Sequence, residues 1–168
     1  KIIHIDIDAS EIGKIIPVTV GIHGDAKSVL KMITEKMSKN SHAEWEASFD
    51  PCYEVEYEKV IKPETAPGIG YINMGEVVAA VAKVTGGKAV IVTDVGQNQL
   101  IAARYSKFTR TRSLITSGGL GTMGFGLPAA IGAKIADPER QVCMFTGDGG
   151  MQMTIQELGT LMQERIGV

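Results

Sequence analysis

The tetrapeptide Gly147-Asp148-Gly149-Gly150 is the stretch of the chain best suited to chemistry. It stands between an apolar run, Val142 to Phe145, that reads as a strand, and a segment in which Ile155, Leu158, Met162 and Ile166 recur at helical spacing. In open α/β sheets, ligands bind where the carboxyl end of a strand turns into a helix. An acid beside three glycines suits a metal-bridged phosphate. The glycines admit the ligand to the backbone, the helix start offers unpaired N–H groups, and the carboxylate holds a cation against the phosphate oxygens. The same residues would also serve as an Asp-Gly turn that simply closes a strand.

Two further stretches bear on that choice. Thr116 to Pro128 is rich in glycine (Gly118, Gly119, Gly121, Gly124 and Gly126) and leads into small helical residues, Ala129 to Ala136, that can lie close against a sheet. Such a loop lets backbone amides and carbonyls touch a ligand. Met123 is its one bulky flexible side chain, flanked by glycines, whereas Met32, Met37 and Met162 read as core filler. The second stretch is Thr93-Asp94-Val95-Gly96-Gln97-Asn98-Gln99, which follows a continuous apolar run, Ala89 to Val92, of the kind found in strands covered on both faces. Gln97 and Asn98 can donate to phosphate oxygens, or cap a helix from Leu100 to Tyr105.

A rival reading uses the same glycines. Gly119-Leu120-Gly121-Thr122-Met123-Gly124 matches the G-x-G-x-x-G dinucleotide fingerprint, and Asp148 would then be the ribose-binding acid. The strand that should precede it is only Leu114-Ile115, introduced by Thr109-Arg110-Thr111-Arg112, which is poor material for a buried first strand. Three glycines around Asp148 suit a metal and phosphate better than a ribose hydroxyl.

The elements that must hold these residues form an α/β pattern of parallel sheets with helices on both faces. Ile3, Ile5 and Ile7 alternate with His4, Asp6 and Asp8, giving a buried-looking strand that delivers acids to its end, and Val18, Val20 and Ile22 repeat the pattern. Asp25 then N-caps a helix with Ala26, Val29, Leu30, Ile33 and Met37 on one face. Acids at strand tips in such domains bond nucleotide ribose hydroxyls, so Asp6 and Asp25 are candidates for that role as well as for turn and cap. Residues 40–72 read as a connection, with Pro51, Pro63 and Pro67, one short helix near Ala43 to Phe49, and Trp45 packed on a domain surface. Asn73 to Glu76 has capping-box spacing ahead of a helix carrying Met74, Val77, Val78, Val81 and Val84, ended by Gly86-Gly87.

With 44% hydrophobic and 21% charged residues the chain is globular rather than disordered. A net charge of -2 and no basic run argue against nucleic acid or an anionic membrane as partner. No apolar run spans a membrane, and Cys52 and Cys143 read as separate reduced thiols of a cytoplasmic protein. The chain opens directly on a strand and ends where a helix would turn towards another, so it reads as a piece of a longer protein.

Thr116 to Lys134, Gly147 to Gly150, Ile155-Gln156-Glu157-Leu158 and His4-Ile5-Asp6-Ile7-Asp8 together resemble the catalytic subunits of the acetolactate synthase family, thiamine-diphosphate-dependent carboligases. The resemblance implies that residues 1–39 end a central FAD-binding domain, that 40–72 link, and that 73–168 begin a domain for thiamine diphosphate and Mg2+. It implies that Gln97 and Asn98 contact the diphosphate, although the family more often has histidine at the position of Asn98. By the same resemblance Gly121 accepts a hydrogen bond from the aminopyrimidine and Met123 props the bent cofactor. Asp148 ligates Mg2+, Gly149 and Gly150 offer backbone to the diphosphate, and Asp6 and Asp25 lie near FAD. The implied reaction condenses pyruvate with pyruvate or 2-ketobutyrate with loss of CO2, on the route to branched-chain amino acids, in a homodimer or tetramer with a regulatory small subunit. The family's catalytic glutamate and the asparagine pair that completes its metal motif lie outside these residues, so the catalytic residue is unknown here and the fragment alone is expected to be inactive. Other thiamine-diphosphate decarboxylases and carboligases, and a non-catalytic nucleotide-binding module, are the alternatives.

Overall fold

Alternation of isoleucine with His4 and Asp6 produces β1 (Ile3–Asp6), which pairs in parallel with β2 (Val20–His23) so that Ile3 stands opposite Val20 and Asp6 opposite His23. The computed structural model describes residues 1–168, and they divide into two units, Lys1–Ser48 and Phe49–Val168. In the first unit β2 runs into α1 (Ala26–Lys36), whose N-cap is Asp25 as its sequence position predicts, and α2 (Ala43–Ala47) follows. Nothing in this unit is buried. The strand that reads as buried from its pattern is open, with Ile3 61% exposed, and Met32 and Met37 are exposed rather than core filler. Two strands and one long helix have too little surface to cover each other's apolar faces.

The second unit begins with a helical run, α3 (Asp50–Glu56), a π-helical turn (Tyr57–Ile61) and α4 (Lys62–Thr65), where the sequence suggests a connection with one short helix. Pro51 does not oppose this, because it falls in the first turn of α3, where a missing N–H costs nothing. Pro63 directly follows the π-helical turn, where the Lys62 N–H reaches back to the Tyr57 carbonyl and the regular α-helical bonding is already interrupted. Trp45 is 65% exposed instead of packed down. Helix α5 (Met74–Val84) starts after Asn73 as expected, but no capping box closes. The Asn73 amide donates to the Pro63 carbonyl (3.2 Å), and the Glu76 carboxylate accepts from the Gly68 N–H (3.3 Å). Both side chains serve the preceding segment.

The core is a three-stranded parallel sheet of β3 (Val90–Thr93), β4 (Leu114–Ile115) and β5 (Val142–Phe145), with β3 in the centre. All four β3 residues are buried. Their alternation decides which helices they meet. Ile91 packs with Val78 of α5 and with Ala102 and Tyr105 of α6 (Gln97–Tyr105), whereas Val90 and Val92 pack with Val142 and with Ala130 of α7 (Gly126–Ala136). A strand covered by helices on both faces needs an unbroken apolar run, which Ala89 to Val92 supplies. Cys143 in β5 is partly buried, and burial raises its thiol pKa. The far end of the sheet is fastened by Arg140, itself buried, whose guanidinium donates to the carbonyls of Lys88 (2.9 Å) and Arg112 (3.3 Å) and to Ser113 Oγ (2.6 Å).

The last helix is two. α8 (Asp148–Thr154) stops at Ile155, and α9 (Glu157–Glu164) continues after it. The break directly follows Thr154, whose hydroxyl is committed to the Gly124 carbonyl (3.2 Å). Met162, another expected core residue, is 81% exposed, because no element of the chain covers that face of α9.

Candidate cofactor site

The carboxyl ends of β3 and β5 lie side by side, with Thr93 opposite Phe145, so the turns that leave them share one edge of the sheet. After β3 the chain passes Gly96, whose φ of +129° only glycine adopts readily, and enters α6 at Gln97. Gln97 and Asn98 therefore form the first turn of that helix, and neither stands outside it as a cap. Gln97 is exposed, and Asn98 is partly buried beside the turn from β5. A Cβ on Gly147 would lie 3.6 Å from Asn98 Nδ2, and one on Gly96 would lie 3.4 Å from it. The Asn98 amide donates only a long hydrogen bond to the Val95 carbonyl (3.4 Å), and its buried Oδ1 has no partner. The orphaned Oδ1 is an acceptor, so only a donor such as water, or a cation, would satisfy it, whereas Nδ2 is the atom that can donate outward.

After β5, Gly147 caps α8, so Asp148 is its first residue and projects into solvent. Gly149 and Gly150 follow in the first turn, where backbone N–H groups have no helical partner. The glycine-rich loop reaches this turn from the other side. Gly121 takes a left-handed φ of +62°, and its N–H donates to the Ser117 carbonyl (3.1 Å). Met123, 42% exposed, has its Cε 3.0 Å from the place a Gly149 Cβ would fill. The structure thus brings Gln97, Asn98, Met123 and Asp148 to Gly150 together at one edge, with Gly121 in the same loop.

These residues fit a diphosphate and a cation. Small residues leave a cradle open to backbone, Asn98 Nδ2 holds only a 3.4 Å bond and can donate to a phosphate oxygen, and Asp148 is an exposed carboxylate at a helix start. No group of three or more His, Cys, Asp or Glu side chains comes together anywhere in the chain, so a cation here would need ligand oxygens besides Asp148.

Asp6 and Asp25 lie in the first unit and stand at the carboxyl ends of the parallel pair. Asp6 lines a largely apolar cavity of about 630 Å³ with Ile3, Ile5 and Ile15, and its Oδ1 accepts the Asp8 N–H (2.8 Å). Asp25 is not in that cavity. Its Oδ2 accepts the backbone N–H and the hydroxyl of Ser28 (2.9 Å each), bonds that lower its carboxyl pKa.

Asp94 is the residue that sequence reasoning passed over. It continues β3 as a carboxylate only 1% exposed, accepting N–H groups from Val95, Gly124 and Gly126. The available signal was an acid following an unbroken apolar run, where a charge must find donors. Gln99 was missed too. Its amide donates to Thr116 Oγ1 (2.8 Å) and fixes the start of the glycine-rich loop to α6.

A parallel sheet with a glycine cradle and one exposed acid at its carboxyl edge is the arrangement of a cofactor-binding α/β domain. Residues 94–168 match the family model described as the thiamine pyrophosphate enzyme, C-terminal TPP binding domain. The dinucleotide reading loses its support, since α7 begins only after the last glycine of the fingerprint.

Over its whole length the chain is similar to large subunits of acetolactate synthase. It is 42% identical over 172 residues to the acetolactate synthase large subunit of Haemophilus influenzae, covering 100% of this chain and 30% of the relative. It is 44% identical over 160 residues to that of Lactococcus lactis subsp. lactis (94% of this chain, 27% of the relative). It is 42% identical over 171 residues to the isozyme 1 large subunit of Escherichia coli strain K12 (100% and 29%). The chain spans about 30% of the length of the curated relatives it matches. No helix is long and apolar enough to cross a membrane.

Proposed function

We propose that this chain forms the diphosphate-holding part of an acetolactate synthase, acting on pyruvate and a second 2-keto acid, pyruvate or 2-ketobutyrate. The observation that carries the proposal is the convergence of Asn98, Met123 and Asp148 to Gly150 on one sheet edge, in a chain about 40% identical throughout to relatives of that name. When bound, thiamine diphosphate supplies an electron sink for the loss of CO2 and for formation of the new carbon–carbon bond.

The chain's own residues bind and orient. Asp148 holds Mg2+, which neutralises the diphosphate, and the N–H groups of Gly149 and Gly150 reach its oxygens where side chains would block them. Gln97 and Asn98 donate to the same diphosphate, and Asn98 gives up no more than its 3.4 Å bond to Val95 to do so. Gly121 presents its carbonyl to the aminopyrimidine, and Met123 supports the ring system from the loop. In this reading residues 1–39 belong to an FAD-binding domain with Asp6 and Asp25 near the flavin, 40–72 connect, and 73–168 begin the thiamine-diphosphate domain. The catalytic glutamate comes from another part of the protein. A cytoplasmic homodimer or tetramer with a regulatory small subunit completes the proposal, supported by the "large subunit" names of the relatives.

The test is Asp148→Asn in the intact protein. Binding of thiamine diphosphate should lose its dependence on Mg2+ and weaken by at least about tenfold, the lower end of what even an outer-shell partner of a metal ligand is worth, and acetolactate formation should fall with it. Unchanged Mg2+-dependent affinity would remove Asp148 from the site.

A further inference from the structure

Asp94 is buried without a cation beside it: none of the chain's ion pairs involves it. Its charge is met by backbone alone. Oδ1 accepts the N–H of Val95 (2.8 Å) and of Gly124 (3.1 Å), and Oδ2 accepts the N–H of Gly126 (2.8 Å), the first residue of α7. Its own N–H donates to the Phe145 carbonyl at the end of β5 (2.9 Å). One residue therefore ties the central strand, the neighbouring strand and the far end of the glycine-rich loop.

The loop is held from its other side as well. The Gly124 carbonyl accepts from Thr154 Oγ1 (3.2 Å), and Gly124 sits so close to α8 that a Cβ would lie 3.0 Å from Met153 Cβ. Asp94 also fills the space beside the first turn of α8, where a Gly150 Cβ would come within 2.6 Å of its Cγ. Gly124 is thus fixed at its N–H by Asp94 and at its carbonyl by Thr154. The residue before it is Met123, which meets Gly149.

We infer that Asp94 and Thr154 form a positioning clamp on Gly124 that sets Met123 and the glycine-rich loop against the Asp148–Gly150 turn, and so sets the affinity of the site for its cofactor. This rests on the thiamine-diphosphate reading given above. Asp94 does not touch the ligand, because its carboxylate is sealed beneath the loop. A carboxylate suits this place better than an amide. It accepts from three donors at once, whereas asparagine would turn an NH2 group towards at least one of them.

The experiment is Asp94→Asn in the intact protein, with two readouts. In protein without cofactor, amide exchange at Gly124 to Gly126 should quicken about tenfold or more. The dissociation constant for thiamine diphosphate with Mg2+ should rise by about tenfold or more, the scale of losing one charge-assisted hydrogen bond. Arg140→Ala, at the opposite end of the sheet, is the control: it should lower the melting temperature while leaving both readouts within about twofold. Thr154→Val, which keeps the shape and removes only the bond to Gly124, should move both readouts in the same direction by about threefold, the scale of a neutral hydrogen bond. It carries the test if Asp94→Asn does not fold. Unchanged affinity in both clamp variants, or an equal loss in Arg140→Ala, overturns the inference. Should the wild-type protein fail to bind thiamine diphosphate, the functional reading falls, and unchanged exchange at Gly124 to Gly126 would still refute the clamp.

Discussion

Two glycines in helices of the second unit should respond in opposite ways to the same substitution. Gly150 lies in α8 and Gly132 in α7, and neither has a positive φ, so alanine is compatible with both backbones. Replacing a helical glycine by alanine stabilises by about 0.5–1 kcal/mol through the unfolded state. At Gly132 nothing lies within 4 Å of the new Cβ, so that gain should appear undiminished. At Gly150 the new Cβ would stand 2.6 Å from Asp94 Cγ and 3.3 Å from Asp94 Cβ. Asp94 cannot retreat without surrendering its bonds to Gly124, Gly126 and Phe145. Forcing a methyl into such a place costs about 1–3 kcal/mol. The helix contribution is common to both variants and cancels in their difference, which should therefore equal the overpacking cost alone, about 1–3 kcal/mol in favour of Gly132→Ala. Thermal unfolding followed by circular dichroism should separate the two by at least about 2 °C. Equal melting temperatures would mean that Asp94 yields freely, and the rigidity ascribed to the clamp would go with it.

Arg140→Ala leaves the Lys88 and Arg112 carbonyls and Ser113 Oγ without their donor and should cost about 2–3 kcal/mol, measured by urea unfolding. A loss below about 0.5 kcal/mol would show that water replaces the guanidinium. The start of α1 should be sensitive to acid. The Ser28 N–H and then its hydroxyl lower the Asp25 carboxyl pKa from 3.8, so the cap's contribution is complete above pH 3.8 and disappears as pH falls through the lower folded value. A carboxyl titration of Asp25 by NMR with its midpoint at or above 3.8 would contradict the capping geometry.

What could be read from the sequence was whatever depends on neighbours along the chain. β5 occupies Val142 to Phe145 as its apolar run predicts, Asp25 caps α1, and the all-apolar run at β3 marks a strand covered on both faces. What could not be read depends on partners far apart in sequence. The donors and neighbours of Asp94 stand at 124, 126 and 150, and no local spacing connects them to it. The misplaced methionines have a different cause. Helical spacing shows that Met37 and Met162 share a face with other apolar residues, but it cannot supply the element that would cover that face. The two cases together explain why the site was more legible than the packing around it. Glycines and an acid at a strand end stand out through backbone chemistry that is local, although Gly147 to Gly150 taken alone reads equally as an Asp-Gly turn and gains its meaning from the other glycine-rich stretches. The clamp that holds the same edge together is non-local, built from one buried carboxylate whose three donors are backbone groups. Backbone N–H groups carry no side-chain signature, so the glycines opposite Asp94 are visible in the sequence only as a loop, and their dependence on that acid emerges once the strand and the loop are folded against each other.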